Sequence, residues 1–219
     1  MKTISLLEKL KEKATFTTID LQRILNSNKK YAQLRINRLL KNKYISRVTN
    51  GTYTCNLEIE QIASNIVYPS YIGGWYASYY KGYTEQIVNQ ITIFTKVNKK
   101  QIFFQNYKIK FIKTNYLFGY YKENEFFIVD DNKLLIDAIL YSKEFGNIDE
   151  IIKIAKNGSF NKETMIDYLN KINKISVNKK IGYLLEKYQN IDLHELIKTD
   201  LNYVNIMHNK LKNKKWKII

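Results

Sequence analysis

Asn50-Gly51 stands between two β-prone runs, YISRV (44–48) and TYTC (52–55), and this dipeptide is the strongest short-range hairpin signal in the chain. A hairpin fixed there limits what the preceding residues can be. Ile4, Leu6, Leu7 and Leu10 mark one apolar helical face that ends near Lys13. FTTIDLQRIL (16–25) opens on a threonine N-cap and carries a second apolar set, Ile19, Leu21, Ile24 and Leu25. Asn26-Ser27-Asn28 breaks that helix, and Ser27 is the expected cap of a third helix running to about Lys43.

Helix, helix, turn, helix, hairpin is the order of a winged helix-turn-helix. At about 100° per residue, Ala32, Ile36, Leu39 and Leu40 of the third helix form a core stripe. Lys30, Tyr31, Leu34, Asn37, Arg38 and Lys41 fall on the opposite side. That face suits duplex DNA. Lys29, Lys30 and Arg47 would draw phosphates, and Asn50-Gly51 at the wing would meet phosphates or the minor groove. Arg38 has a fork for guanine, Asn37 pairs with adenine, and Leu34 suits thymine methyl groups, with Tyr31 beside them. The rival is a basic, exposed helix used for protein contact.

Charge agrees with a polyanionic partner. Residues 1–55 hold 12 Lys/Arg against 3 Asp/Glu, whereas residues 123–209 hold 11 against 14, within a net charge of +16. Solubility combined with a lysine-rich composition is the competing explanation. No apolar run approaches the roughly 18 residues of a membrane span. The start, MKTISLLEKLKEK, lacks the apolar core of a signal peptide. Cys55 is the single cysteine, so no internal disulfide forms, and a cytoplasmic location is the simplest expectation.

LEIEQIASNIVYPS (57–70) leads out of the first unit. Residues 71–85 read as an aromatic helix ended by Gly82, with Gly73 and Gly74 awkward inside it. Five β-like runs follow: QITIFT, QIFF, YKIKFI, LFGYY and EFFIV. Alternation in Tyr107–Phe111 suits a half-solvated antiparallel sheet. From Lys133 onward the pattern is helical, through NKLLIDAILYS, NIDEIIKIAKN, NKETMIDYLNKIN, KKIGYLLEKY and DLHELIKTD. The expected fold class is therefore α+β. A winged helix-turn-helix at 1–58 precedes a unit at 70–219 built from a small, mostly antiparallel sheet and several helices.

The middle of the chain, YIGGWYASYYKGYTEQIVNQITIFTK (71–96), resembles the AbiEi family, the antitoxins of type IV abortive-infection toxin–antitoxin pairs. The likeness runs through Gly82, Tyr83, Thr84, Glu85 and Gln86, then Ile91–Thr95, Lys96–Lys100 and Tyr107–Lys113. It continues in Leu134–Leu140 and Lys179–Glu186, and Gly51-Thr52-Tyr53 also matches. Gly73-Gly74 and the lysine-rich tail from Lys210 depart from the family's pattern. The resemblance implies an N-terminal domain that binds repeats in its own promoter and represses the operon. It also implies a C-terminal domain needed to neutralise a nucleotidyltransferase-like toxin, without stable toxin binding. A stand-alone regulator, and a module that neutralises a toxin by contact, stay open beside it, as does the oligomeric state.

Catalytic chemistry has little to stand on. His194 and His208 lack metal-ligand spacing, and His194-Glu195 has no second histidine at helical spacing. Cys55 has no identifiable base. Asp130, Asp131 and Asp137 invite a metal reading. However, Gly158-Ser159 runs into Phe160-Asn161-Lys162, not the paired acids of a nucleotidyltransferase. No phosphate loop is present. The expectation is a non-enzyme with no cofactor and no metal. Glu85 and Gln86 are either contact residues or a polar turn. QIFFQNYKIKFIK (101–113) is either a strand core or a stacking platform for single strands. The tail KLKNKKWKII either grips phosphates or is a basic, disordered end.

Overall fold

The computed structural model describes residues 1–206 and 213–219 and has a mixed α+β architecture. Two separate apolar clusters organise it.

The smaller cluster gathers α1 (Thr3–Lys11), β1 (Phe16–Thr17), α2 (Thr18–Leu25), α3 (Lys29–Lys41), β2 (Ser46–Thr49) and β3 (Thr52–Thr54). Leu6, Leu10, Phe16, Leu21, Ala32, Ile36, Leu39, Ile45 and Tyr53 are buried in it. The expected apolar faces hold in part: Ile4 and Ile19 face solvent, and Leu40 is only half-buried. Thr17 caps α2 in a capping box. Its hydroxyl accepts from the Asp20 N–H at 3.3 Å, and the Asp20 carboxylate accepts from the Thr17 N–H at 2.8 Å. The cap of α3 is Asn28, not Ser27: its Oδ1 accepts the Tyr31 N–H at 2.9 Å. Asn26, in the left-handed region at φ 46°, ends α2 and moves the break one residue along. The hairpin forms as read, with Thr49 opposite Thr52 and Gly51 at φ +84°. A third strand joins it: β1 pairs with β3, so the sheet order is β1-β3-β2, antiparallel throughout.

The second sheet has six strands. They are β4 (Ser70–Gly73), β5 (Gln90–Thr95), β6 (Ile102–Phe104), β7 (Tyr107–Lys113), β8 (Tyr120–Glu123) and β9 (Phe126–Val129), in the order β6-β7-β5-β4-β9-β8. It is mostly antiparallel, as expected, with two parallel joins, β5 to β7 and β4 to β9. Residues 71–73 belong to the strand β4, not to a helix. Gly73 and Gly74 form the junction to α5 (Gly74–Tyr80), where a Cβ on Gly73 would strike Phe94 and one on Gly74 would strike Thr92. α4 (Ile59–Ser64), α6 (Asp131–Leu140), α7 (Ile148–Asn157), α8 (Lys162–Ile172) and α9 (Ile175–Gln189) pack around this sheet and one another. DLHELIKTD (192–200) is turn and coil. Asp192 Oδ1 accepts the His194 N–H, and only Leu193 and Ile197 reach the core.

The two units touch along a polar seam. Thr15 Oγ1 donates to the Asn65 carbonyl at 3.1 Å across it. Val48 of β2 packs into the larger cluster, so the hairpin is held from one side. No helix among the described residues is long and apolar enough to cross a membrane.

Candidate nucleic-acid interface

α3 is helical for local reasons: its sequence KKYAQLRINRLLK has no glycine or proline, and most of its residues are strong helix formers. Like α1, α5 and α9 it has no acid in its first turn, but it differs from them in the cations placed there. α2, α6, α7 and α8 each carry an acid in the first turn, where the helix dipole favours one. α3 carries none and has Lys29 and Lys30 there instead. Its N-terminal end therefore adds two full charges to the dipole's partial positive charge. This arrangement is unfavourable for the isolated helix and attractive to an anion. Lys29, Lys30, Arg35, Arg38 and Lys41 form no ion pair among the described residues.

Lys29, Lys30, Asn37, Arg38 and Lys41 are exposed, and Tyr31 and Leu34 are each 45% exposed. Lys30, Tyr31, Leu34 and Asn37, together with Asn28 and Gln33, line one shallow, mostly apolar concavity of about 530 Å³. Arg38 and Lys41 stand outside it, in the last helical turn. Arg47, on β2, is exposed with its guanidinium 5.9 Å from the Tyr53 ring centre. Asn50 sits at the exposed hairpin tip, in a separate cleft of about 580 Å³ shared with Lys99 and Lys100. Two residues of α3 escaped the sequence reading. Gln33 lies three residues after Lys30 and four before Asn37, so it shares their face. Arg35 is half-buried, with Nε and Nη2 sealed from solvent and facing no acceptor among the described residues.

The family-like turn divides in two. Gly82 takes φ +74°, Tyr83 donates to Asp131 Oδ2 at 2.7 Å, and Thr84 is buried with Oγ1 accepting the Gln86 N–H at 3.3 Å. This half fastens α5 to α6. Glu85 and Gln86 face solvent. Asp131 is held below the usual carboxylate range. Burial opposes ionisation, and the Tyr83 hydroxyl, the Ser159 N–H and Lys81 outweigh it.

A polar cluster that no sequence motif announced lies inside the larger core. Lys133 and Asp137 form a fully buried ion pair one helical turn apart on α6. Lys133 also donates to the Tyr71 hydroxyl at 3.0 Å, which in turn donates to Asp137 at 2.8 Å. Burial pushes the Tyr71 hydroxyl well up. All three side chains are sealed from solvent, so the cluster is a structural fastening that no substrate reaches in this conformation. Among the described residues, no group of three or more His, Cys, Asp or Glu is placed to hold a metal ion.

In β7, Ile109 and Phe111 are buried while Lys113 is exposed and Lys110 pairs with Glu144 at 2.6 Å, which is the strand-core arrangement. Cys55 is half-buried against the smaller cluster. The described part of the tail, residues 213–219, is packed against the larger unit. Trp216 is fully buried over Gly182 with Nε1 donating to Glu186, and Lys215 pairs with Glu186 and Asp192, each at 2.7 Å. His194 lies edge-on to Trp216, in a turn and not the expected helix. His208, Lys210 and Lys212 lie outside the described residues.

Compared with known proteins, the chain matches no family model and no curated protein. It is similar in structure to the RV2827C protein of Mycobacterium tuberculosis, solved by crystallography. The TM-score is 0.64 at 12% identity, over 97% of this chain and 89% of that one. At that identity the likeness concerns the fold alone.

Proposed function

We propose that residues 1–58 act as a winged helix-turn-helix that binds duplex DNA, and that the chain is a transcriptional autorepressor and antitoxin of the AbiEi kind. In this reading α3 enters the major groove and the β2–β3 hairpin is the wing. Lys29, Lys30, Arg38, Lys41 and Arg47 face phosphates, and Asn50 meets the backbone or the minor groove. Repression follows from occupancy of repeated promoter sites. The larger unit serves neutralisation of a nucleotidyltransferase-like toxin, with Glu85 and Gln86 as its solvent-facing candidates.

One observation carries the DNA reading. α3 carries cations that form no ion pair among the described residues, and one of them, Lys30, lines a concavity of apolar and amide groups. α1, α5 and α9 also lack an acid in the first turn, but none of them opens on two lysines as α3 does. The test is a gel shift of the full chain on its own upstream DNA and on a shuffled fragment, at two salt concentrations. Retention of the upstream fragment alone at the higher salt supports the reading. Equal, salt-sensitive retention of both reduces it to bulk charge.

A further inference from the structure

Resting on the DNA-binding reading, we propose that the α3 surface reads adenine–thymine base pairs, through Gln33 and Asn37 on adenine and Leu34 with Tyr31 on thymine. The chemistry of the concavity selects this partner. In the major groove, only thymine offers an apolar group, its C5-methyl, and only adenine offers an acceptor beside an amine donor that one amide can match with two hydrogen bonds. Gln33 and Asn37 are amides four residues apart, hence on one face, with Leu34 and Tyr31 exposed between and beside them. Reading cytosine calls for an acid on the helix, and α3 has none.

Guanine is read best by a forked guanidinium. The arginines of α3 are placed elsewhere. Arg38 is in the last turn and outside the concavity, whereas groove-reading contacts concentrate at the start of a recognition helix. Arg35 is turned partly inward, with two of its nitrogens sealed. Lys30 is the single cation in the lining. It stands at the helix start beside Lys29, where phosphate is the natural partner. Arg38 thus passes from a guanine reader to a backbone contact.

The experiment selects bound sequences from a random duplex library of equal base frequency with the full chain, then edits the selected site one atom group at a time. Replacing thymine by deoxyuridine deletes the methyl group, and replacing adenine by 7-deazaadenine deletes the N7 acceptor. The expected result is enrichment of A·T steps and a loss of about tenfold for each edit at a contacted base. Leu34→Ala should no longer sense the uracil edit, and Gln33→Ala and Asn37→Ala should no longer sense the 7-deazaadenine edit. Selected sites rich in G·C that respond to 7-deazaguanine overturn this inference and leave DNA binding standing. Selective binding indifferent to all base edits in wild type also overturns it. Failure to retain any duplex overturns the DNA reading and this inference together.

Discussion

The lysines of the larger unit and the cations of α3 have the same chemistry and opposite settings. Lys133 is fully buried against Asp137, Lys110 pairs with Glu144 at 2.6 Å and Lys81 with Asp131 at 2.9 Å. Each fastens one element to another or steadies a helix. In the smaller unit, Lys13 and Asp20, 3.5 Å apart, form the one ion pair among the described residues. Net charge therefore says little about function until each cation is asked whether the fold already uses it. The sequence contains 36 Lys/Arg. Those of α3 form no ion pair among the described residues.

The sharpest way to break this comparison is to remove one partner of the buried pair. Asp137→Leu leaves the Lys133 ammonium sealed with only the Tyr71 hydroxyl, and should cost about 3–5 kcal/mol in urea unfolding. Adding Lys133→Met should recover most of that loss. A single-variant cost below about 1 kcal/mol would mean the pair is not a fastening. Trp216→Ala should cost a comparable 3–5 kcal/mol, roughly, because the indole fills the space over Gly182. Lys215→Ala, which removes only exposed pairs, should cost under about 1 kcal/mol. Equal effects of the two would contradict a tail anchored by its tryptophan.

Acid should weaken the larger unit through Asp131. Its folded pKa lies below its unfolded value, so its contribution is present above the usual carboxylate pKa. That contribution is lost as pH falls through the lowered folded value. Stability measured by thermal melting from pH 6 downward should therefore drop less steeply in Asp131→Asn than in wild type. Parallel curves would remove Asp131 from the account. The smallest effect belongs to α3. Lys30→Glu should raise stability by about 0.3–1 kcal/mol by relieving the helix dipole, while abolishing retention of DNA. A variant that melts lower would show that Lys30 supports the fold.

The contrast also marks what the sequence makes legible. Features encoded within a few residues can be read directly: the Asn50-Gly51 turn, the threonine N-cap of α2, the alternation of β7 and the exposed face of α3. What escapes depends on distant partners. β1 is two residues long and exists only because Phe16 meets Tyr53. Tyr71–Gly73 reads as helix because β4 is buried at every position and shows no alternation. DLHELIKTD has helical spacing, but the Asp192 side chain holds a turn there. A buried Lys133 follows from Tyr71, 62 residues earlier, as much as from its own helix. Gln33 was legible by the 3.6-residue period, yet its neutral side chain draws no notice beside so many cations.

The most direct test of the central claim is the slope of log binding constant against log salt for the full chain on its upstream DNA. It should be measured for wild type, for Lys29/Lys30/Arg38/Lys41→Ala, and for Lys122/Lys171→Ala in the larger unit. The account predicts that the α3 variant loses roughly 0.9 of slope for each cation removed from a phosphate. It also predicts that the other variant, whose lysines already face Glu125 and Asp167, keeps the wild-type slope. Equal losses per lysine in the two variants would contradict it and return the charge of this chain to an undivided, nonspecific field.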